Sequence, residues 1–424
     1  MTWTLFGFLF LLLAVGFPIA VALGGAAFLF LFLQTHTPLE IVVQRIVSGV
    51  DSFPLLALPF FLLAGLLMER AGITSRIMNL ANALVGHIRG GLAAVCVVAS
   101  CFFGFISGSG VADTAAIGSI IMPEMVRRGY GKGFTASLQA SAGVLGIVIP
   151  PSLPIVVLGV AGGIPIGALL LGGIMPGWIA GFLLMFVGIV ISRKRGYQGI
   201  ERVGGWKETW KAAREAVLPL LTPVIILGGI LGGVFTPTES AVVATVYALL
   251  LGFFVYRSLR FRDLYPIFKE AALASGVIMF IIAAASPFAW IMAINQIPKS
   301  LTTFFLSLTS NPFWILILVN VLLLVLGTFM ETIAIIIVMA PILLPLITSL
   351  GYDPVYFGII MVLNLAIGGI TPPLGVCLIT TCRLLKTPYP PPGRDLLPFL
   401  LAMVASLFLT ILFPPLVLWL GKMA

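Results

Sequence analysis

Two stretches, GSGVADTAAIGSIIMP at 108–123 and GTFMETIAIIIVMAP at 327–341, read as one pattern written twice: a polar turn, an acid followed by threonine, an aliphatic run and a proline. Asp113-Thr114 and Glu331-Thr332 share an offset of 218. A second match follows, GIVIPP at 146–151 and GGITPP at 368–373, at an offset of 222, a slip of four residues. The chain is therefore read as two related halves.

The solvent around these motifs is lipid. Of 424 residues, 60% are hydrophobic and 9% charged, with a mean hydropathy of +1.20, outside the range of a soluble globular chain. Apolar runs recur, and at about 20 residues per crossing they predict roughly ten spans plus two half-length hairpins. Residues 3–33 lack a basic leader and a small-residue cleavage site, so they are read as one retained span. The net charge of +9 does not imply nucleic acid, because the basic residues sit in short loops between spans. Cys96, Cys101, Cys377 and Cys382 lie in or beside apolar helices without metal-ligand spacing and are read as small fillers. His36 and His87 are read as surface residues at membrane edges, and the pairs Gly159/Gly163 and Gly177/Gly181 as helix-packing positions.

Orientation follows from charge. With a cytoplasmic N-terminus, all of the 23 Lys and Arg except Arg45, Lys299 and Lys422 fall inside. The first hairpin, flanked by Arg89, Arg127 and Arg128, enters from the cytoplasm; the second has no basic residue closer than Lys299 and enters from the other side. The expectation is an all-α polytopic membrane protein with an inverted-topology repeat, two re-entrant helical hairpins and two broken helices. Its parts are 1–193 (hairpin 90–127, broken helix 132–160), a cytoplasmic connector 194–214 anchored by Trp206 and Trp210, an extra span 215–234, and 237–424 (hairpin 311–350, broken helix 354–382). Amphipathic segments, such as the stripe Ile73, Ile77, Leu80, Leu84 and Ile88, are predicted to lie along the interface.

Length favours hairpins over full crossings: residues 92–106 reach only about 22 Å as helix, against a hydrocarbon core of about 30 Å. The tip ISGSGVADT must then be buried in protein or line a wet cavity. There a helix start offers free N–H groups to an anion, and a helix end offers carbonyls to a cation. Ser107, Ser109 and Asp113 in the first hairpin, and Thr328, Glu331 and Thr332 in the second, add the oxygens a hard cation requires. For each acid two readings stand, a helix cap or a cation or proton ligand. The Pro-Pro breaks strand carbonyls upstream, adding Gly146, Val148, Gly369 and Thr371 to the candidate cation ligands. Substrate contacts are placed at Ser109, Ser152, Asn364 and Thr371. No arginine sits deep in a predicted span, which leaves anion binding to helix N-termini and hydroxyls.

The stretches at 51–72, 86–93, 106–119, 146–154, 172–178, 233–241 and 363–375, beginning DSFPLLALPFF and ending LNLAIGGITPPLG, together resemble the large membrane subunit of tripartite ATP-independent periplasmic (TRAP) transporters. The resemblance implies a bacterial inner-membrane subunit working with a small four-helix membrane subunit and a periplasmic substrate-binding protein. It also implies an elevator motion and sodium as the coupling ion for uptake of a small organic acid such as a dicarboxylate or sialic acid, with no covalent cofactor. The second hairpin carries Glu331 where such subunits more often carry Asp. The competing class is an ion exchanger or channel of the same architecture without organic substrate. No HExxH, GxSxG or P-loop is present, so no catalytic residues are assigned.

Overall fold

The computed structural model describes residues 2–34, 37–199, 206–309 and 311–421, and these are helical with no β-strand among them. His36, Arg202, Lys422 and the side chain of Trp206 lie outside the described residues.

Residues 3–33 do not form one span. Helix Thr2–Ala14 ends ahead of Gly16, whose φ of +94° suits glycine, and Pro18 then withholds a donor. Helix Ile19–Gln34 runs back beside the first: Thr4 Oγ1 donates to Gln34 Oε1 at 3.2 Å, and a Cβ on Gly25 would meet Leu12 Cδ1 at 3.1 Å. At 1.5 Å per residue the two arms reach only about 20 and 24 Å. The amino end therefore lies beside the end of the second helix, and the single crossing expected for residues 3–33 is a helical hairpin instead. The charge count is unaffected, because neither arm carries Lys or Arg.

Seven helices among the described residues are long and apolar enough to cross a bilayer, or up to nine if each bent pair is one span. Phe53–Arg70, Lys207–Leu231, Pro237–Val255 and Phe261–Ile294 are four of them. Side chains tie this group together: Thr245 Oγ1 donates to the Phe60 carbonyl at 2.9 Å and the Tyr247 hydroxyl to the Leu218 carbonyl at 2.9 Å. The amphipathic helix Ile73–Val85 buries Ile73, Ile77 and Leu80 in the protein. Leu84 is exposed and Ile88 lies past its end, so the apolar stripe is shorter than expected.

The 29-residue helix Ile166–Lys194 packs against the first broken helix and the first hairpin through small residues: a Cβ on Gly177 would meet Ile149 Cγ1 at 2.6 Å and one on Gly181 would meet Cys101 Sγ at 2.8 Å. Gly163 does not share that role. It ends helix Leu153–Gly162 at φ +64° with nothing within 4 Å of its Cβ position. At the far end of the long helix, Arg195 pairs with Asp395 at 2.7 Å, which docks the start of the connector on helix Gly393–Leu412.

Candidate functional site

Each hairpin is two helices meeting at a short turn, Gly91–Ser107 with Gly110–Arg127 and Pro312–Gly327 with Thr332–Ser349. Each broken helix stops at a proline pair and restarts: Lys132–Gly143 and Leu145–Val148 before Leu153–Gly162, and Pro354–Gly368 before Val376–Leu385. Tip and break are joined alike in both halves. The Gly108 carbonyl accepts from Leu153 N at 3.0 Å, and the Thr328 carbonyl accepts from Leu374 N at 3.0 Å. Glycines allow backbone to touch backbone: a Cβ on Gly104 would meet Gly146 Cα at 3.2 Å, and one on Gly327 would meet Gly368 Cα at 3.2 Å.

The four pieces converge on one cleft of about 70 Å³, lined by Ser109 and Gly110 of the first tip, Glu331 and Thr332 of the second, and Gly369 and Cys377 of the second break. Ile147 and Pro154 bring the first break to the same space. No Lys or Arg is among its lining residues, whereas the starts of helices Gly110–Arg127 and Thr332–Ser349 both face it.

Asp113 and Glu331 are not equivalents. The helix caps are Ser109, which accepts from Ala112 N at 3.5 Å, and Glu331, which accepts from Ile333 N at 2.9 Å and Ala334 N at 3.2 Å. Ser109 and Glu331 differ by 222, the offset of the two proline pairs, and the same register sets Pro123 against Pro345. The four-residue slip thus vanishes, and the Asp-Thr/Glu-Thr match was one helical turn out of register. Of the two readings left open for the acids, the cap describes Glu331, which lines the cleft. Replacing Glu331 by alanine should cost about 1 kcal/mol, and by serine much less, in thermal unfolding of the purified protein; equal losses would contradict a capping role.

Asp113 sits one turn inside its helix, fully buried, and neither carboxylate oxygen has a hydrogen-bonding partner. Ser100 approaches it without a bond of proper geometry. A Cβ on Gly146 would stand 3.3 Å from Asp113 Oδ2, so the carboxylate faces the place where the first broken helix presents bare backbone. An unpaired buried carboxylate is costly, and the donor set around it, a carboxylate with hydroxyl and carbonyl oxygens, suits a hard monovalent or divalent cation.

Of the remaining expected ligands, Ser107, Thr328 and Thr371 lie near the tips and breaks but not in the cleft wall. Thr328 and Thr371 donate their hydroxyls to the carbonyls of Val325 and Ile367, each at 2.7 Å. The Val148 carbonyl points at the long helix, where a Cβ on Gly173 would stand 2.6 Å from it. Ser152 is buried as the cap of helix Leu153–Gly162 and donates to the Ile147 carbonyl. Asn364 is also buried, donating to Asn320 Oδ1 at 2.8 Å. Neither Ser152 nor Asn364 reaches the cleft, in contrast to their expected role. Cys377 does line it and was missed, since nothing in its local sequence separates it from a filler.

A family profile described as tripartite ATP-independent periplasmic transporter, DctM component, matches residues 6–416. The chain belongs to this family. The DctM-type chain is 40% identical over 423 residues to the sialic acid TRAP transporter large permease protein SiaM of Vibrio cholerae, covering 100% of this chain and 99% of that one. It is 41% identical to the C4-dicarboxylate large permease DctM of Pseudomonas aeruginosa, covering 95% and 94%. It is 43% identical to the isethionate permease DctMQ of Oleidesulfovibrio alaskensis, spanning 97% of this chain but 65% of that protein's length. The YdaH transporter of Alcanivorax borkumensis, a solved structure, shares the fold at a TM-score of 0.61 and 16% identity, covering 92% and 90%. As a DctM-family permease subunit, the chain is a multi-pass membrane transport protein and not an enzyme.

Proposed function

We propose that this permease imports a small organic acid across the bacterial inner membrane in symport with sodium. Its partners would be a small four-helix membrane subunit and a periplasmic binding protein that delivers the substrate. The observation that carries this reading is the convergence of both hairpin tips and both proline breaks on one cleft, with the unpaired carboxylate of Asp113 directly behind it. Sodium would sit between Asp113, the Ser109 region and the backbone near Gly146. The acid's carboxylate would bind at the start of helix Gly110–Arg127, since no Lys or Arg lines the cleft and the first N–H groups of helix Thr332–Ser349 are taken by Glu331. The relatives named for sialic acid, C4-dicarboxylates and isethionate support an organic acid as the class.

The shared 222 offset of caps and prolines, with basic residues at the base of the first hairpin and none near the second, supports an inverted repeat whose cleft is carried across by an elevator motion. The test is uptake in proteoliposomes containing both membrane subunits and the binding protein, titrated with sodium. Two or more ions per monoanion let the membrane potential drive uptake, at about 2.3 kcal/mol per charge per 100 mV. The expected Hill coefficient is therefore well above 1. A coefficient of about 1 would remove the multi-ion scheme, and ion flux indifferent to the binding protein would favour an exchanger.

A further inference from the structure

Between helices Val376–Leu385 and Gly393–Leu412 runs the segment TPYPPP at 387–392, in which four of the last five residues are proline. Proline fixes φ and supplies no backbone donor, so the segment is stiff, and Tyr389 is the one residue of 388–392 with a hydrogen to donate. Both ends are held. Thr387 N donates to the Cys382 carbonyl at 3.0 Å, and the Pro392 carbonyl accepts from Asp395 N at 2.8 Å. Pro392 Cδ also lies 3.0 Å from where a Cβ on Gly133 would stand, and Asp395 is paired with Arg195.

Held in this way, Tyr389 reaches back to the second proline break. Its hydroxyl lies 2.8 Å from the Pro373 carbonyl oxygen and 2.9 Å from that of Leu374, and it shares its one proton between them. These two carbonyls come directly before Gly375, Val376 and Cys377, which line the cleft. Tyr389 does not line the cleft and so acts on this wall from behind. Leu374 is thereby pinned on two sides, because its N–H donates to the Thr328 carbonyl of the second hairpin at 3.0 Å. Gly375 then turns the chain at a φ of +48°, and Cys377 N donates to the Gly369 carbonyl at 3.0 Å.

In the first half the hairpin tip does this work itself. Gly108 stands against the Pro151 carbonyl so closely that any Cβ would strike it. Its counterpart at the offset of 222 is Met330, whose side chain forbids the same approach to Pro373. We propose that Tyr389 is a positioning residue for the transported acid: by fixing the carbonyls of Pro373 and Leu374 it sets Gly375, Val376 and Cys377 in place as a wall of the cleft. The link to the acid rests on the cleft being its binding site; the brace itself does not.

Tyr389→Phe removes the hydroxyl and keeps the ring. In the full chain in lipid nanodiscs, hydrogen exchange at the Leu374 and Cys377 amides should quicken about tenfold, as expected for the loss of one hydrogen bond. Exchange elsewhere and the thermal midpoint without ligand should match the wild type. In thermal-shift titrations in sodium with sialic acid, succinate and isethionate as probes, the acid that stabilises the wild type should need about tenfold more for half its effect. Tyr265→Phe, at an exposed tyrosine, is the control and should change neither reading. Unchanged exchange at Leu374 and Cys377 would overturn the brace, and quickened exchange with an unchanged titration would overturn the positioning role. A lowered midpoint without ligand, with faster exchange throughout, would make Tyr389 a folding residue and overturn the proposal as well. If none of the three acids stabilises the wild type, the cleft loses its standing as an acid site, and exchange at the two amides still decides the brace.

Discussion

Asp113→Asn is expected to abolish sodium-dependent uptake while leaving the protein folded. The substitution keeps the shape of the side chain and removes a charge that no group in the protein balances. Without sodium, the variant should be as stable as the wild type or more so, because a bare buried carboxylate is unfavourable. With sodium the order should reverse. Removing one member of a buried ion pair typically costs about 3–5 kcal/mol, so apparent sodium affinity should fall at least about a hundredfold. Thermal unfolding with and without sodium reads this directly, since a ligand that binds only the folded state raises the midpoint. If the asparagine variant is still stabilised by sodium, the ion is held elsewhere.

Gly368→Ala should have a comparably large effect by a steric route. Its added Cβ would stand 2.5 Å from the Gly327 carbonyl oxygen and 2.7 Å from that residue's carbonyl carbon and Cα, all backbone atoms that cannot rotate away. The second broken helix must then part from the second hairpin, at about 1–3 kcal/mol for overpacking. Because cleft groups come from both elements, a displacement of about 1 Å should lower uptake about a hundredfold. Gly276→Ala is the matched control: that glycine also lies in a helix, but nothing stands within 4 Å of its Cβ position, and transport should be unchanged. Normal uptake by the Gly368 variant would show that the glycine contact is not what positions the cleft.

How legible was this site in the sequence? The glycine-rich turns and proline pairs stood out because backbone that cannot hydrogen-bond internally is rare in an apolar chain, and these are the elements that meet at the cleft. Register was harder to read. Asp113 and Glu331 are both followed by threonine and, ten residues on, by proline, so a text match prefers them; the helix caps are Ser109 and Glu331, and Ser and Glu look unalike on the page although both accept from free amides. Ser152 and Asn364 looked like substrate ligands because polar residues beside a break are few, yet one caps a helix and the other binds Asn320. The fold-back at residues 15–18 was marked by Gly16 and Pro18, but continuous hydropathy on both sides outweighed that signal.

That fold-back bears on how the molecule acquires its orientation during synthesis. The first two helices emerge without a single basic residue and return their leading end to the compartment from which residue 37 continues, so they impose no sidedness on the remainder of the chain. Sidedness in this part of the chain then rests on Arg70, Arg76 and Arg89, the first closely spaced positive charges after the fold-back.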